Sequence, residues 1–492
     1  MTLVDGGRSD SSTSTDSVES PNFDGWSGWT VAWWGIGALL GAVRLFDNSF
    51  FTHLATGRLI LGGSIPHTDP YTFTASGRPW VVQSWLASLF DASIERVVGL
   101  GGIRVFQGLC VGTILALLWR LSKPADRLIS RFIVMIASGI VGFIWWNERP
   151  QMLAFVFMAS VLVLVVDRRP SWWLVPMFLV WVNWHGSWLI GLVVVAGAAF
   201  ARELGDSTTP RRCVSAALVS GRATLAALGA CVVGAAISPY GFDLLAFPFR
   251  LAAVSSNIAY LGEWYRPELL SLDTAGVMVL AVVGIAGLIR SRQWGWVPLM
   301  VTLGVLSVTA VRNLPIAAIV LVPIASLGVP LVGTLRSGPE LGWRSAARVA
   351  AAVTLAVSVL VAFSAPHIVL EGFPSQVVEE LAARGWVANP AERIVAPDAV
   401  GNYLELRDGA AAHVFVDDRA EVFPSDVFAD HANLVWDRGD WRAVLDRYDA
   451  TVVIWAEDEE LTGHLVGDPA WLEVSRSGGF VGFCRIGRAV GC

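Results

Sequence analysis

The chain has 492 residues, of which 54% are hydrophobic and 15% charged, with a formal net charge of -6. Globular domains carry about a quarter charged residues, so a wholly soluble fold is excluded. With no basic stripe, a nucleic-acid surface is excluded too.

The mean hydropathy of +0.58 comes mainly from residues 28–364, while 365–492 reads as a soluble domain. Residues 1–27 are mostly Ser, Thr, Asp and Gly, the composition of a disordered cytoplasmic tail. They lack a basic segment, short apolar core and cleavage site in series. The first apolar run is therefore expected to be an uncleaved membrane helix.

A spanning helix needs about 20 apolar residues. The runs 28–46, 101–120, 131–146, 151–166, 172–183, 187–201, 223–237, 274–290, 296–311, 314–335 and 346–364 predict about eleven spans. With a cytoplasmic N-terminus, the C-terminal domain lies outside. Basic residues cluster in the turns assigned to the cytoplasm. These hold Arg120, Lys123, Arg127 and Arg131, then Arg168 and Arg169, then Arg202, Arg211, Arg212 and Arg222, then Arg290 and Arg292, then Arg336, Arg344 and Arg348. Outer segments carry theirs singly, at Arg58, Arg78, Arg149, Arg250, Arg266 and Arg312. That asymmetry is the positive-inside pattern. The runs 172–183 and 187–201 are each short for a span. Reading them as one helix would put Arg168 and Arg202 on opposite sides, so two short helices with a turn in a wet outer cavity are expected.

The first outer loop, 47–100, contains two amphipathic segments. Phe50 to Leu61 is expected along the membrane interface and Val81 to Val98 as a second helix, with Trp80 and Trp85 at headgroup level. The second outer loop, 238–273, carries Ser238-Pro239-Tyr240-Gly241 and then Glu263 and Arg266 beside Trp264. Residues 365–492 predict a small α/β domain. Its strands are expected at 393–396, 412–416, 451–455, 472–476 and 480–485, and its helices at 375–385 and 440–448. Asp417-Asp418-Arg419 ends one strand and points to the membrane site. None of the five cysteines makes a CxxC pair, so no zinc or redox site is expected; Cys484 and Cys492 could pair in an oxidising compartment, but unpaired cysteines are the favoured reading.

Polar residues in turns between apolar helices usually face a cavity and work there. Asp47 is a candidate general base, or alternatively an acid solvated at a helix end. His53, His67 and Asp69 follow in the same loop. A divalent metal held by Asp47, His53 and His185 is conceivable, without the spacing of a known metal motif. Arg58, Arg149 and Arg312 suit phosphate oxygens, or else snorkel or pair with nearby acids such as Glu148 and Asp69. Asn147, Glu148, Gln151, Asn183, Asn313 and Glu263 are the other polar residues expected at the cavity. Most of the 23 tryptophans are explained by interface belts. There is no phosphate-binding glycine loop and no sizeable cytosolic domain for a nucleotide. A transferase on this face must draw on a membrane-embedded lipid carrier.

Asp47-Asn-Ser-Phe-Phe-Thr-His53-Leu-Ala-Thr-Gly57-Arg58 resembles the start of a group of bacterial multi-pass proteins in the GT-C glycosyltransferase superfamily. Further matches are Ile65-Pro66-His-Thr-Asp69-Pro70, Gly77-Arg-Pro-Trp80, Arg149-Pro150-Gln151, Asn183-Trp-His185-Gly186, Ser238-Pro-Tyr-Gly241, Glu263-Trp264, Arg312-Asn313 and Asp417-Asp418-Arg419. The resemblance implies a polyprenyl-phosphate-linked sugar donor, an envelope glycan or lipid acceptor, and inverting transfer in the bacterial cell membrane. It assigns Asp47 as base and Asp69 (with Glu148 behind it) as second acid; on that footing Arg58, Arg149 or Arg312 is expected to hold the donor phosphate and His185 to orient donor or acceptor. Phe50-Phe51-Thr52 departs from the aromatic pair that related members often carry before the histidine. The alternatives are a non-catalytic envelope scaffold and a transporter of lipid-linked substrate.

Overall fold

The computed structural model describes residues 28–254, 260–329 and 344–492. The expected disordered tail at 1–27 and the end of the apolar run 314–335 lie outside the described residues. The apolar helices are α1 (Gly28–Gly41), α4 (Leu100–Leu121), α5 (Leu128–Trp145), α6 (Gln151–Val166), α7 (Leu174–Trp184), α8 (Trp188–Leu204), α9 (Pro210–Ala236), α11 (Leu272–Ser291), α12 (Val297–Thr309), α13 (Leu314–Ala325) and α14 (Arg344–Ala362). Between them lie α2 (Asn48–Leu61), α3 (Trp85–Val98) and α10 (Asp243–Ala253).

Four of these, α4, α5, α9 and α11, are long and apolar enough to cross a membrane. Other apolar helices, such as α6 with 16 residues, α7 with 11 and α12 with 13, fall short of that length, so the structure supports fewer full-length spans than the expected count of about eleven. Run 28–46 yields a helix only to Gly41, and in run 296–311 α12 starts at Val297, after a 3-10 turn at Trp294–Trp296, and stops at Thr309. The 172–201 region does form two helices, α7 and α8, broken at His185–Ser187.

Helix α1 packs on α4 through facing glycine pairs, Gly37 and Gly41 against Gly108 and Gly112. A methyl group at Gly112 would sit 2.5 Å from the Trp34 carbonyl, and one at Gly37 2.6 Å from the Gly112 Cα. Small residues four apart let two backbones close to such a distance. At the other end of that contact, buried Arg104 of α4 donates to the Ala42, Val43 and Ser364 carbonyls at 3.1, 2.8 and 2.8 Å. It thereby satisfies the chain leaving both α1 and α14.

The C-terminal region holds a four-stranded sheet ordered β1 (Ile394–Val395), β2 (Val452–Ala456), β4 (Phe480–Arg485), β3 (Trp471–Ser477). Its helices are α15 (Ser375–Ala383), α16 (Asp398–Asp408), α17 (Ser425–Val435), α18 (Trp441–Arg447) and α19 (Glu460–Val466). Segment 412–416, expected as a strand, is not one. Val414 makes single bridges to Ile394 and to Thr72 of the first outer loop. Its amide and carbonyl are spent on Tyr71 and Phe73, at 3.0 and 3.1 Å, and pin that loop to the sheet edge.

The outer loop and the C-terminal region share their hydrophobic cores. Tyr71 and Trp80 join Phe415 and Phe423 in one; Phe50, Phe51 and Leu54 join Val377 and Leu404 in another. Helix α2, expected along the membrane interface, is instead buried inside protein. Its apolar face finds the C-terminal helix α16 rather than lipid. Cys484 and Cys492 form a disulfide.

Candidate active site

Asp47 ends the chain leaving α1 and caps α2. Its Oδ1 accepts the Ser49 amide at 3.0 Å, satisfying one of the orphan donors of a helix start. The α5–α6 turn then wraps it with three consecutive residues. Asn147 Nδ2 donates to Oδ2 at 2.6 Å, and Arg149 Nε donates to both oxygens at 2.8 Å. Glu148 turns the other way and accepts the Phe46 and Asp47 amides, the latter at 2.7 Å. Burial pushes the Glu148 carboxyl up to about 7. Both Asp47 oxygens are thus filled by donors.

Arg149 reaches on from Asp47 to Glu263, and Glu263 is also held by Arg312 at 2.8 Å. One carboxylate therefore bridges two guanidinium groups that come from separate turns, α5–α6 and α12–α13. Burial alone would raise the Glu263 carboxyl, but the Arg312 and Arg149 charges outweigh it and hold it below its usual value. Arg312 stacks over the Trp264 ring at 4.4 Å.

Of these groups, Arg149, Glu263 and Arg312 lie on a cavity of about 170 Å³, while Asp47 stands behind Arg149, off its wall. Its polar lining includes His53, Arg149, Gln151, His185, Glu263 and Arg312, together with Ser49, Gln83, Asp418, Arg419 and Glu421. His185 Nδ1 accepts the Ser187 amide at 3.2 Å, so its proton sits on Nε2 as a neutral donor. Burial, aided by the Arg312 and His53 charges, lowers His185 to about 3. Burial with the Arg149 charge lowers His53 to about 4, and its Nδ1 meets the Ser88 hydroxyl at 3.2 Å. Both imidazoles are uncharged near neutrality.

The C-terminal region supplies the remaining wall. Asp418 accepts the Ser49 hydroxyl, and burial pushes its carboxyl up to about 7. Arg419 lies over Trp80 at 4.2 Å and donates to Asp417 and to Asp69, the latter at 2.6 Å. Its Nη1, like Gln83 Nε2, is buried without a protein partner. A buried donor with no partner costs about 1–3 kcal/mol, which a bound acceptor would recover.

Several residues expected at the site lie elsewhere. Asp69 is off the cavity wall, where it organises a turn through the Tyr71 and Thr72 amides at 3.3 and 3.0 Å and anchors Arg419. Arg58 is 43% exposed and is used by Glu95 and the Leu406 carbonyl. Asn183 is buried between the Leu179 and Gly234 carbonyls and the Trp85 indole, each at 3.0 Å. Asn313 caps its own turn through the Leu306 carbonyl at 2.8 Å. Among the described residues no three His, Cys, Asp or Glu side chains converge as a metal would require, so Asp47, His53 and His185 do not form one. Ser49 was legible beside Asp47 as a helix-start residue. Gln83 and Glu421 carry no local signal, because only packing of the outer loop on the C-terminal region brings them in.

No family model matches the chain, and no curated protein matches it. Among solved structures it is similar to the arabinofuranosyltransferase AftD from Mycobacteria, at 13% identity and a TM-score of 0.44. The likeness covers 93% of this chain and 41% of that one, so this chain spans well under half of AftD. A likeness of that degree decides nothing about substrate or mechanism.

Proposed function

We propose that the chain is a bacterial membrane glycosyltransferase that moves a sugar from a polyprenyl-phosphate carrier to a hydroxyl of an envelope glycan or lipid, on the outer face. The observation that carries this reading is the pair Arg149 and Arg312 on one cavity wall, bridged by a single carboxylate. Two guanidinium forks that converge on one anion suit a phosphate, which would displace Glu263. An apolar groove of about 1080 Å³ has Thr309 and Leu314, which flank the Arg312 turn in sequence, in its lining. It is lined by α11, α12 and α13, with Arg266 and Thr309 at one end and Leu288 and Trp294 at the other. Helix α11 has 20 residues, a length of about 30 Å, which matches the hydrocarbon thickness of a bilayer. A phosphate head with a long isoprenoid tail fits that combination.

In this reading about eleven helices span the membrane, with 28–364 as the membrane domain and 365–492 outside. The Cys484–Cys492 disulfide supports an oxidising compartment for the C-terminal region. As the bond from sugar to phosphate breaks, negative charge grows on the phosphate, and Arg149 and Arg312 stabilise it without reorganising. His185 Nε2–H orients a sugar or acceptor hydroxyl. Asp47, with both oxygens already occupied, acts by fixing Arg149.

The test is mass spectrometry of envelope glycans and lipid-linked sugars in a deletion strain. Accumulation of one lipid-linked sugar, loss of that sugar from a glycan, and restoration by wild type but not by Arg312→Ala are expected. Unchanged pools on deletion would refute the transferase reading. Transport of label without a new glycosidic bond would favour a transporter.

A further inference from the structure

A transfer to a hydroxyl needs a base on the cavity wall, and this inference rests on the transferase reading above. Among the described residues the carboxylates lining the cavity are Glu263, Asp418 and Glu421. Glu263 is bound between two arginines and must yield to the donor phosphate. Glu421 receives both the Trp80 indole, at 3.4 Å, and its own backbone amide. Asp47 does not line the cavity, and donors already fill both its oxygens. Asp418 is different. Its carboxylate accepts one hydrogen bond, from the Ser49 hydroxyl, and its backbone is set by Asn402 at 3.3 Å. Its remaining lone pairs are free for a ligand in the cavity. It lines the same cavity as Arg149 and Arg312.

We propose that Asp418, delivered by the C-terminal α/β region, is the base that accepts the acceptor hydroxyl proton. The acceptor oxygen forms its bond to the anomeric carbon while the bond from that carbon to the phosphate oxygen breaks. The bonding pair leaves with the phosphate, which gains one negative charge between Arg149 and Arg312. The proton ends on Asp418. Ser49 is a positioning residue, since its hydroxyl holds the reactive carboxylate and its amide holds Asp47.

The charges that face Asp418 agree with this role. Burial and the Asp417 and Asp398 carboxylates favour the protonated form, while the Ser49 bond and the Arg149 charge oppose them. The balance lies at about 7, where a base can both take and release a proton. The outer loop and the C-terminal region must then be docked for the site to be complete.

The experiment uses the full chain in lipid nanodiscs. The donor is the lipid-linked sugar extracted from the deletion strain, and the acceptor is that strain's envelope glycan. Single-turnover transfer is followed against pH. Wild type should gain rate with rising pH and level off above about 7. Asp418→Asn should lower the plateau by about 10²–10⁴-fold with donor KM unchanged. Asp418→Glu should restore part of it, which separates chemistry from misfolding. Ser49→Ala should move the limb to higher pH, because it removes a bond that favours the ionised form. A limb and rate unchanged in Asp418→Asn would overturn the assignment, as would loss of the limb in Asp47→Asn or Glu421→Gln instead. Absence of transfer by wild type would overturn the transferase reading and this assignment with it.

Discussion

Asp47→Asn separates a positioning role from a chemical one. The two Asp47 oxygens face only donors. Oδ1 meets the Ser49 amide and Arg149 Nε, and Oδ2 meets Asn147 Nδ2 and Arg149 Nε. Asparagine must place its own NH₂ group at one of these positions. Either orientation sets a donor against two donors, so no flip relieves the conflict. Breaking a buried ion pair by removing one partner costs about 3–5 kcal/mol. Arg149 keeps Glu263 as its second partner, so the lower end of that range, about 3 kcal/mol, is expected. Thermal unfolding of the purified variant in nanodiscs should show a midpoint several degrees below wild type. Donor KM should rise because Arg149 is no longer fixed. A variant with unchanged unfolding and unchanged donor KM but abolished turnover would refute this reasoning and return Asp47 to the role of base.

Other outcomes follow from the same geometry. His53 and His185 are held near 4 and 3, below the ordinary histidine value of 6.5. They stabilise the fold fully above pH 6.5, and that contribution is lost as pH falls toward 3. Replacing both by Gln should therefore flatten the acid side of a melting-temperature profile; an unchanged acid side would show that they protonate freely. Gly112→Leu forces a side chain into the Trp34 carbonyl and should destabilise the α1–α4 contact by about 1–3 kcal/mol, read as lower yield of folded protein and a lower unfolding midpoint. Cys492→Ser opens a disulfide between cysteines eight apart in sequence, and the chain-entropy argument predicts a loss of about 2–3 kcal/mol, measured by denaturation with and without reductant.

The apolar runs by themselves announced the long apolar helices α4, α5, α9 and α11 and the mixed strands and helices that follow residue 365. Hydrophobic length and Lys/Arg asymmetry are local, one-dimensional signals. For the same reason the polar turns at Asp47, Arg149, His185 and Arg312 stood out, since a charge between apolar helices is costly wherever the helices pack. The break at His185 was legible because one long helix would have violated the charge asymmetry.

Which polar residues meet was decided only by tertiary structure. Arg58 and Arg149 look alike in sequence, yet Arg58 finds Glu95 near the surface while Arg149 finds Asp47 and Glu263. Asp69 and Asp418 are both loop acids. One is spent on Arg419 and the other is left facing a cavity. That difference depends on the outer loop pairing with Val414, a contact of more than three hundred residues in sequence separation. No pattern in either segment encodes it, because an isolated bridge has no periodicity of its own. The sheet edge and the shared apolar cores around Phe50 and Tyr71 set it, and they bring Asp418 to the Ser49 hydroxyl.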